Sequence, residues 1–405
     1  MRILLLNQAF HPDTVSSGQH LTDLASHLAS SGHVVTVITS NRSYDNPKIK
    51  FPRRELWQGI RIIRIPVLGS GKKSKLQRLL GFASFFLFCG VRLVFLGRHD
   101  ITIALTSPPL ISVLGILFAK LKGGRFVYWI MDLNPDEAIA AGWLRPESAW
   151  ARLLERISVY SMRHAGSVIV LDRFMKQRLL RKGIGEDKLT IIPPWAHDST
   201  VRFDPAQREE FRALHGLKER FVVMHSGNHS PCHPLDTLLQ AALRLASRQE
   251  IVFCFIGGGS EYRKVQAFAT GHDLGNFVFL PYQPLDKLAG SLSAADLQVV
   301  VMGEPFIGIV HPCKIYNILT VGVPFLYIGP PESHVTDIVG RYRLDGLANM
   351  AEHGAVEDVE RHILRRLEAW RAGIPASGQR IGSSNYSQMA ALTDFMKVLQ
   401  PSPPV

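Results

Sequence analysis

Residues 221–259 have the sequence FVVMHSGNHSPCHPLDTLLQAALRLASRQEIVFCFIGGG, in which two apolar runs flank a polar loop and an amphipathic stretch. The apolar runs Phe221–His225 and Ile251–Ile256 predict buried strands, because parallel strands covered on both faces favour continuous apolar residues. Between them, apolar residues recur at helical spacing from Leu235 to Ala246. The segment therefore predicts a strand–loop–helix–strand unit, the building block of a doubly wound α/β sheet.

The beginning of the chain repeats this order of elements. Arg2–Leu6 predicts a first strand, Leu21–Leu28 carries one apolar helix face, and Val34–Thr39 predicts a second strand. The chain has 405 residues, which exceeds one ordinary hydrophobic core. The sequence therefore predicts two α/β domains. Further strands are predicted at Phe126–Met131, Ser167–Leu171, Ile191–Pro194, Leu297–Met302 and Pro324–Ile328.

The domain boundary is expected near the polar segment that follows Pro194. We place an N-terminal domain at residues 1–197 and a C-terminal domain at residues 198–379, with the linker within 195–205. A last helix within 380–400 is expected to pack back onto the N-terminal domain. Its predicted apolar face consists of Tyr386, Met389, Leu392, Met396 and Leu399.

The charge of the chain is strongly basic and unevenly distributed. The net charge is +12, and thirteen Lys or Arg residues but two acids lie between Arg42 and Arg98. A basic balance indicates an anionic partner, although a solvated basic surface is the alternative. The sequence contains no helix-turn-helix signal, zinc-finger spacing or aromatic RNA-binding motif, so nucleic acid is not the expected partner.

The stretch Leu79–Leu96, LLGFASFFLFCGVRLVFL, is apolar apart from Arg92. Three interpretations are open: a membrane span paired with Ile101–Ala119, a buried core helix, or a helix lying in the membrane interface. The basic residues around it favour the interfacial helix on an anionic membrane surface.

Cysteine usage and the N-terminus indicate the expected compartment. The cysteines Cys89, Cys232, Cys254 and Cys313 do not have the spacing of a secreted disulfide framework. The run from Met1 to Phe10 lacks the long apolar stretch and cleavage site of a signal peptide. We therefore expect a cytoplasmic protein, peripheral on the inner face of the cell membrane.

Several loops that follow predicted strands are suited to phosphate oxygens. Backbone N–H groups at the start of a helix attract anions, and small residues such as Ser17 and Gly18 allow a close approach. Gly227-Asn228 and Gly257-Gly258-Gly259 predict similar turns. The chain has no Gly-x-x-x-x-Gly-Lys-Ser/Thr motif and no Asp-x-Asp motif. We therefore expect a diphosphate that is neutralised by backbone dipoles and cations, with no required metal.

Two further groups of residues could carry chemistry, each with an alternative. Asp132, Asn134, Asp136 and Glu137 could orient or deprotonate a hydroxyl, or they could simply begin a helix. Histidines and cysteines near two strand ends could bind zinc, or they could donate hydrogen bonds to a diphosphate. This second group is His225, His229, Cys232, His233, His311 and Cys313.

The segment Gly308–Pro324, GIVHPCKIYNILTVGVP, resembles the donor-binding segment of family 4 glycosyltransferases, which are retaining enzymes of the GT-B fold. The Gly32-His33 turn, the segment Asp132–Pro135 and the glycine turns agree with this resemblance. It implies two Rossmann-like doubly wound domains facing a cleft. Where the family has two glutamates, this chain has Ile309 and Asn317.

The resemblance also implies roles for individual residues. Asp132, His311 and Lys314 are the expected catalytic residues, with Lys314 as a cation near the diphosphate. Asn317 would bind the ribose hydroxyls. The expected donor-binding residues are Ser17, Gly18, Gly227, Asn228, His229, Gly257, Gly258, Gly259, Ile309, Val310, Ile315 and Asn317.

The activity implied by the resemblance is transfer of a hexosyl or N-acetylhexosaminyl group with retention of configuration. The expected donor is a UDP-sugar, and the expected acceptor is a polyprenyl-diphosphate-linked sugar or a saccharide in cell-surface polysaccharide or lipopolysaccharide biosynthesis. A GT-B sugar-nucleotide epimerase is one alternative. A non-catalytic partner subunit is another, because Ile309 and Asn317 replace the family's carboxylates.

Overall fold

The computed structural model describes residues 1–44, 46, 48–68, 75–196, 201–344, 346–374 and 387–400, without the side chains of residues 75, 76 and 78. The described residues form two compact units. The first contains Met1–Pro194, Gly308–His311 and residues 391–400, and the second contains the described parts of Trp195–Ile307 and Pro312–Ala390. The chain thus divides after Pro194 rather than after residue 197, and the sequence did not predict that Gly308–His311 would group with the N-terminal unit.

In the described part of the N-terminal unit, eight strands form one sheet in the order β3-β4-β2-β1-β5-β6-β7-β8, and β3 is the antiparallel edge strand. Its centre is fully apolar, since Ile3, Leu4, Leu5 and Leu6 of β1 are buried on both faces. The strands are β1 (Arg2–Leu6), β2 (Val34–Ser40), β3 (Arg54–Trp57), β4 (Ile60–Ile65), β5 (Ile101–Ala104), β6 (Arg125–Trp129), β7 (Ser167–Val170) and β8 (Leu189–Ile191). The helices between them are α1 (Ser16–Ser30), α2 (Lys75–Val94), α3 (Ile111–Lys122), α4 (Asp136–Ala140), α5 (Ala149–His164) and α6 (Arg173–Arg181).

The described part of the second unit has a parallel sheet of six strands in the order β11-β10-β9-β12-β13-β14. Side chains alternate along its strands, so Val223 joins the core on one face and Val222 the core on the other. The strands are β9 (Phe221–Asn228), β10 (Ile251–Gly258), β11 (Phe277–Leu280), β12 (Leu297–Val301), β13 (Phe325–Ile328) and β14 (Ala348–Ala351). The helices are α7 (Pro205–Leu214), α8 (Asp236–Arg244), α9 (Tyr262–Gly271), α10 (Leu285–Ser293), α11 (Lys314–Val321), α12 (His334–Tyr342) and α13 (Val356–Arg371).

A last helix, α14 (Gln388–Leu399), packs its residues from Ala391 onward against the N-terminal unit, as the sequence predicted. The ring of Phe395 lies 4.5 Å from that of Trp129, and the Arg125 guanidinium donates to the carbonyl oxygens of Val398 and Gln400. The predicted apolar face is only partly right, because Met389 is exposed. Residues 380–386 of the predicted helix, which include Tyr386, lie outside the described residues.

The apolar stretch at Leu79–Leu96 forms most of α2, which is buried on one side only. Phe85, Cys89 and Leu93 face the core, whereas Leu87 and Val91 are exposed. None of the helices in the described parts of the chain has the length and apolar character needed to cross a membrane. This finding rules against the spanning interpretation of α2, and the exposed side rules against a helix that is wholly buried.

Candidate functional site

Each unit has a topological switch point, where the order of the strands along the sheet reverses. In the first unit, β1 lies between β2 and β5, and in the second unit β9 lies between β10 and β12. Ligands of open parallel sheets bind outside the carboxyl ends of the strands at such points. Ligand-binding residues are therefore expected directly after β9 and after β1.

Two glycine turns lie side by side at the switch point of the second unit. The strands β9 and β10 remain paired through Gly257 opposite Gly227 and Gly258 opposite Asn228, so β9 ends three residues later than predicted. Gly227 has φ +123° and Gly257 has φ +125°, which favour glycine. A Cβ atom at Gly257 would collide with the carbonyl oxygen of Gly227. The turns thus bring backbone closely together where the sequence predicted a phosphate site.

Lys314 is the first residue of α11 and directs its side chain toward these turns. Its Nζ atom lies 3.1 Å from Nε2 of His225 and 3.5 Å from the position that a Cβ atom at Gly227 would take. Within the residues that the structure describes, no carboxylate lies within 4.0 Å of this Nζ. Burial lowers the pKa of Lys314 to about 7. The second unit thus has a cation at its glycine turns that lacks a carboxylate partner.

Three buried histidines surround this lysine, and each donates from Nδ1 to a backbone carbonyl oxygen. The partner is Val299 for His225 (3.2 Å), Gly227 for His229 (3.0 Å) and Val301 for His233 (2.7 Å). Burial, followed by the charge of Lys314, lowers the pKa of His225, lowers that of His229 to about 4 and lowers that of His233 to about 3. All three imidazoles are therefore neutral near pH 7, with Nδ1 protonated.

The zinc interpretation finds no geometric support in the described residues. The six predicted ligands, from His225 to Cys313, do not bring three ligand atoms within 4.8 Å of one another. The structure also groups His311 with the first unit, whereas the other five belong to the second. The histidines of the second unit instead lie around Lys314, and their Nδ1 atoms donate to backbone carbonyl oxygens, so donation from them to a diphosphate stays a prediction.

The other predicted donor residues of the second unit differ in accessibility. Asn228 and Gly259 are exposed and Asn317 is half-buried, so their polar groups can be reached. Ile315 is fully buried on α11 and can contribute packing but no direct contact. Sequence reasoning missed Tyr282, whose hydroxyl donates to the carbonyl oxygen of Gly258 at 3.2 Å. Its position directly after β11, at a strand's carboxyl end, was the available signal.

Ser17 and Gly18 lie in the first turn of α1, at the switch point of the first unit. A Cβ atom at Gly18 would lie 3.2 Å from Cβ of Ala9, so the helix start packs tightly against the loop after β1. Val15 at the N-cap provides no side-chain cap, and Ser17 is half-buried. The first turn of α1 therefore retains backbone N–H groups of the kind that bind anions.

The segment Gly308–His311 packs against residues of the N-terminal unit. Leu133 N donates to Ile309 O at 2.8 Å, and a Cβ atom at Gly308 would lie 2.6 Å from the carbonyl carbon of Phe174. Ile309 and Val310 are buried there, although the sequence analysis placed them in the C-terminal domain. The carboxylate of Asp172, which sequence reasoning missed, lies 2.7 Å from Nδ1 of His311.

Asp132 is the acidic residue best placed for proton chemistry. It follows β6, is half-buried, and has its backbone N–H 3.3 Å from Oγ1 of Thr106. Burial, with a smaller effect of the Glu137 charge, raises the pKa of Asp132 to about 8. Asp136 is instead paired with Lys182 at 2.9 Å. The helix-start alternative is thus correct for Asp136 and Glu137, which lie in the first turn of α4.

An exposed apolar surface covers neighbouring helices of the N-terminal unit. α2 packs on α3, and α3 packs on α5, and each of the three helices carries exposed apolar side chains that together form a strip. Arg92 lies near Arg54 and Arg61, whose charges add to burial in lowering its pKa. We call this strip the apolar face; it consists of Leu79, Leu80, Leu87, Val91, Val94, Phe95, Leu117, Leu121, Trp150 and Leu153.

Comparison with known proteins identifies the family. Residues 17–195 match the model of the glycosyl transferase 4-like domain. The whole chain is similar in fold to WaaG, a glycosyltransferase involved in lipopolysaccharide biosynthesis, with a TM-score of 0.73 and 15% identity over 99% of this chain and 100% of that one. The chain is a glycosyltransferase of the GT-B fold whose residues 17–195 form a glycosyl transferase 4-like domain.

Two further relatives extend the comparison for this glycosyltransferase. It is 25% identical over 80% of its length, and 82% of the relative's, to WcaI of Escherichia coli K12, which is assigned as a glycosyl transferase of colanic acid biosynthesis. Its fold matches HepE of Anabaena, solved with UDP and glucose, with a TM-score of 0.70 and 15% identity over 98% of this chain and 99% of that one.

Proposed function

We propose that this glycosyltransferase transfers a sugar from a UDP-sugar to a lipid-linked or saccharide acceptor during cell-surface polysaccharide synthesis. The observation that carries the proposal is Lys314 at the paired glycine turns of the second unit, because a cation beside close backbone, with no carboxylate partner among the described residues, suits a diphosphate. The match to HepE, which was solved with UDP and glucose, supports the choice of nucleotide.

The donor's charge is neutralised by the protein rather than by a required metal. Lys314 and the N–H groups at Gly258 and Gly259 face the diphosphate, while the amide of Asn317 binds the ribose hydroxyls. Gly18, in the first turn of α1, offers backbone donors of the kind that bind a phosphate group. The backbone of Gly308–His311 contacts the transferred sugar in place of the family's first glutamate.

Transfer retains the configuration of the sugar. The bond between the anomeric carbon and the diphosphate oxygen breaks, and the acceptor oxygen bonds to the same face of that carbon. The acceptor proton passes to the departing diphosphate oxygen, so no enzymic nucleophile is needed. Asp132 orients the acceptor hydroxyl in the N-terminal unit, where its raised pKa keeps the carboxyl group protonated up to about pH 8.

The apolar face binds the cytoplasmic surface of an anionic membrane, where a polyprenyl-linked acceptor resides. Leu121 and Trp150 have 81% and 69% of their surface exposed, which is unusual for large apolar side chains unless a partner covers them. Lys120 and Lys122 in the last turn of α3, together with Arg92, provide positive charge around the face. A negatively charged bilayer matches both properties.

Two measurements test the proposal in sequence. In a thermal-shift screen with UDP, GDP and ADP, we expect UDP to stabilise the protein, by about 2.7 kcal/mol at a hundred times its dissociation constant. Labelled UDP-sugars with polyprenyl-diphosphate-linked acceptors should then give a glycosylated lipid. The absence of any nucleotide effect would contradict the donor site. Turnover of the donor without an acceptor would favour an epimerase, and UDP binding without any turnover would favour a non-catalytic subunit.

A further inference from the structure

The buried side chain of His225 lies 3.1 Å from Nζ of Lys314. We propose that His225 is a positioning residue that holds Lys314 at the glycine turns, and that Lys314 takes up a proton from solvent as the donor's diphosphate binds. The inference rests on the proposed function, since it requires the nucleotide to bind beside Lys314. The inference adds the uptake of a proton to the binding reaction and makes His225, on strand β9, a positioning residue.

Hydrogen-bond geometry fixes the direction of the contact between these two residues. Nδ1 of His225 donates to the Val299 carbonyl oxygen, so in the neutral ring Nε2 carries the lone pair. The Nζ atom of Lys314, 3.1 Å away, must therefore be the donor. This bond holds the amine whether it is charged or neutral, because both forms retain an N–H. His225 thus positions Lys314 without neutralising it.

The groups that face Lys314 make it an incomplete anion site. Among the described residues they are His225 on β9, His229 and His233 after β9, and Cys232, whose thiol raises the pKa of the lysine. A half-buried cation without a counter-charge is destabilised, and the group relieves this cost by releasing its proton. A diphosphate supplies the missing negative charge. Its arrival therefore restores the ammonium form.

The pH range of this effect follows from the free protein. Burial places the pKa of Lys314 at about 7, so at pH 8 most molecules have the neutral amine. The neighbouring diphosphate raises the pKa of Lys314, and up to about one proton enters with each nucleotide at that pH. The histidines, whose pKa values are lowered much further, remain neutral between pH 7 and 8.5.

Isothermal titration calorimetry with UDP at pH 8, in two buffers of different ionisation enthalpy, measures the proton directly. We expect the observed heats to differ by the buffer's enthalpy times up to about one proton. The dissociation constant of UDP should rise by up to about tenfold per pH unit between pH 7.5 and 8.5. The terminal phosphate, with a second pKa of about 6, is already ionised in this range.

Substitutions of Lys314 and His225 distinguish the effect of a positive charge beside the diphosphate from the effect of proton uptake by Lys314. Lys314→Arg keeps a cation that stays charged, so UDP should bind with equal heats in both buffers and with little pH dependence. His225→Leu should weaken UDP binding by about tenfold, and His225→Gln, which retains an acceptor for Lys314, should recover most of the loss. The matched control is His272→Leu, at an exposed histidine of the same unit.

The outcomes distinguish this inference from the proposed function. UDP binding with equal heats in both buffers for the unaltered protein would overturn proton uptake while leaving the donor site intact. If His225→Gln and His225→Leu bind as the unaltered protein does, His225 has no positioning role. No UDP binding at any pH would overturn the proposed function and this inference with it.

Discussion

The Nδ1 atom of His311 lies 2.7 Å from Oδ2 of Asp172, and both side chains are buried although 139 positions separate them in the sequence. The other carboxylate oxygen of Asp172 accepts a hydrogen bond from Met175 N at 2.7 Å, which caps α6. One carboxylate therefore fixes the beginning of a helix and the segment 308–311 together. A buried pair of this kind is costly to break, because the remaining partner keeps its desolvation penalty.

Replacing Asp172 should destabilise the N-terminal unit. We expect Asp172→Ala to lower the free energy of unfolding by about 3–5 kcal/mol, because it removes the cap of α6 and the partner of His311. Asp172→Asn should cost about 1–2 kcal/mol, since its single amide oxygen can keep the cap of α6 but no longer also accepts from His311. Urea unfolding measures both. The control is Asp204→Ala, which removes the cap of α7 and should cost about 1 kcal/mol. Equal losses for Asp172→Ala and Asp204→Ala would contradict a contribution from His311.

This pair also marks a limit of sequence reasoning. Asp172 follows a predicted strand and precedes a helix, which indicates an N-cap but gives no sign of a partner in a distant segment. The segment 308–311 was assigned to the C-terminal domain because it lies within a run of that domain's elements. Its packing against Leu133 and Phe174 depends on tertiary contacts that no local pattern encodes.

The central strands were predictable for a simple reason. Arg2–Leu6 was predicted with the bounds that the structure has, since a strand buried on both faces is continuously apolar. The edge hairpin β3–β4 was not predicted, because Arg54 and Arg61 interrupt its apolar pattern. At the candidate site, the glycine turns and Lys314 were predicted. The hydroxyl of Tyr282 was not, because the strand β11 that precedes it was not among the predicted strands.

Asp132→Asn should lower transfer activity while stabilising the protein. The raised pKa of Asp132 means that the folded protein retains this proton up to about pH 8, whereas the unfolded chain releases it near pH 4. The folded state therefore loses stability as pH rises from about 4 to 8, and an amide that cannot ionise avoids the loss. We expect a higher melting temperature at pH 8, by about 2–4 °C for each kcal/mol regained, and a rate up to about 10²-fold lower because the acceptor hydroxyl loses its orientation.

The pH dependence of the gain in melting temperature tests whether the raised pKa of Asp132 is its cause. The gain in melting temperature should shrink toward pH 4, where the unaltered carboxyl group is protonated in both states. Asp136→Asn is the matched control, because Asp136 is paired with Lys182 and its replacement should destabilise the protein instead. A gain that is independent of pH would argue against burial of an ionisable Asp132.

Charged substitutions on the apolar face should release the protein from membranes without unfolding it. Leu87 and Val91 are exposed on α2, so Leu87→Glu with Val91→Glu should change the free energy of unfolding by less than about 0.5 kcal/mol for each. Both remove apolar area and add repulsion from anionic lipid, so vesicle binding should fall about tenfold or more. Co-sedimentation with anionic and neutral vesicles measures this. Leu214→Glu, at an exposed leucine of the second unit, should bind as the unaltered protein does.

Alanine substitutions at the glycine turns should separate backbone strain from crowding of Lys314. Gly257→Ala meets a φ of +125° and the carbonyl oxygen of Gly227, so we expect a loss of about 1–3 kcal/mol in unfolding free energy together with lost UDP binding. Gly227→Ala meets a similar φ of +123°, but its methyl group would lie 3.5 Å from Nζ of Lys314 with no backbone in the way. It should therefore cost less stability than Gly257→Ala while weakening UDP binding about tenfold or more.

The control for these glycines is Gly271→Ala, at the end of α9, where an added Cβ atom meets open space. Alanine favours the helix there, so the free energy of unfolding should rise slightly or stay constant, with UDP binding unchanged. Thermal melts and UDP titrations of the three variants are measured side by side. If Gly227→Ala and Gly257→Ala lose stability but bind UDP normally, the glycine turns serve the packing of β9 on β10 and the donor diphosphate binds elsewhere.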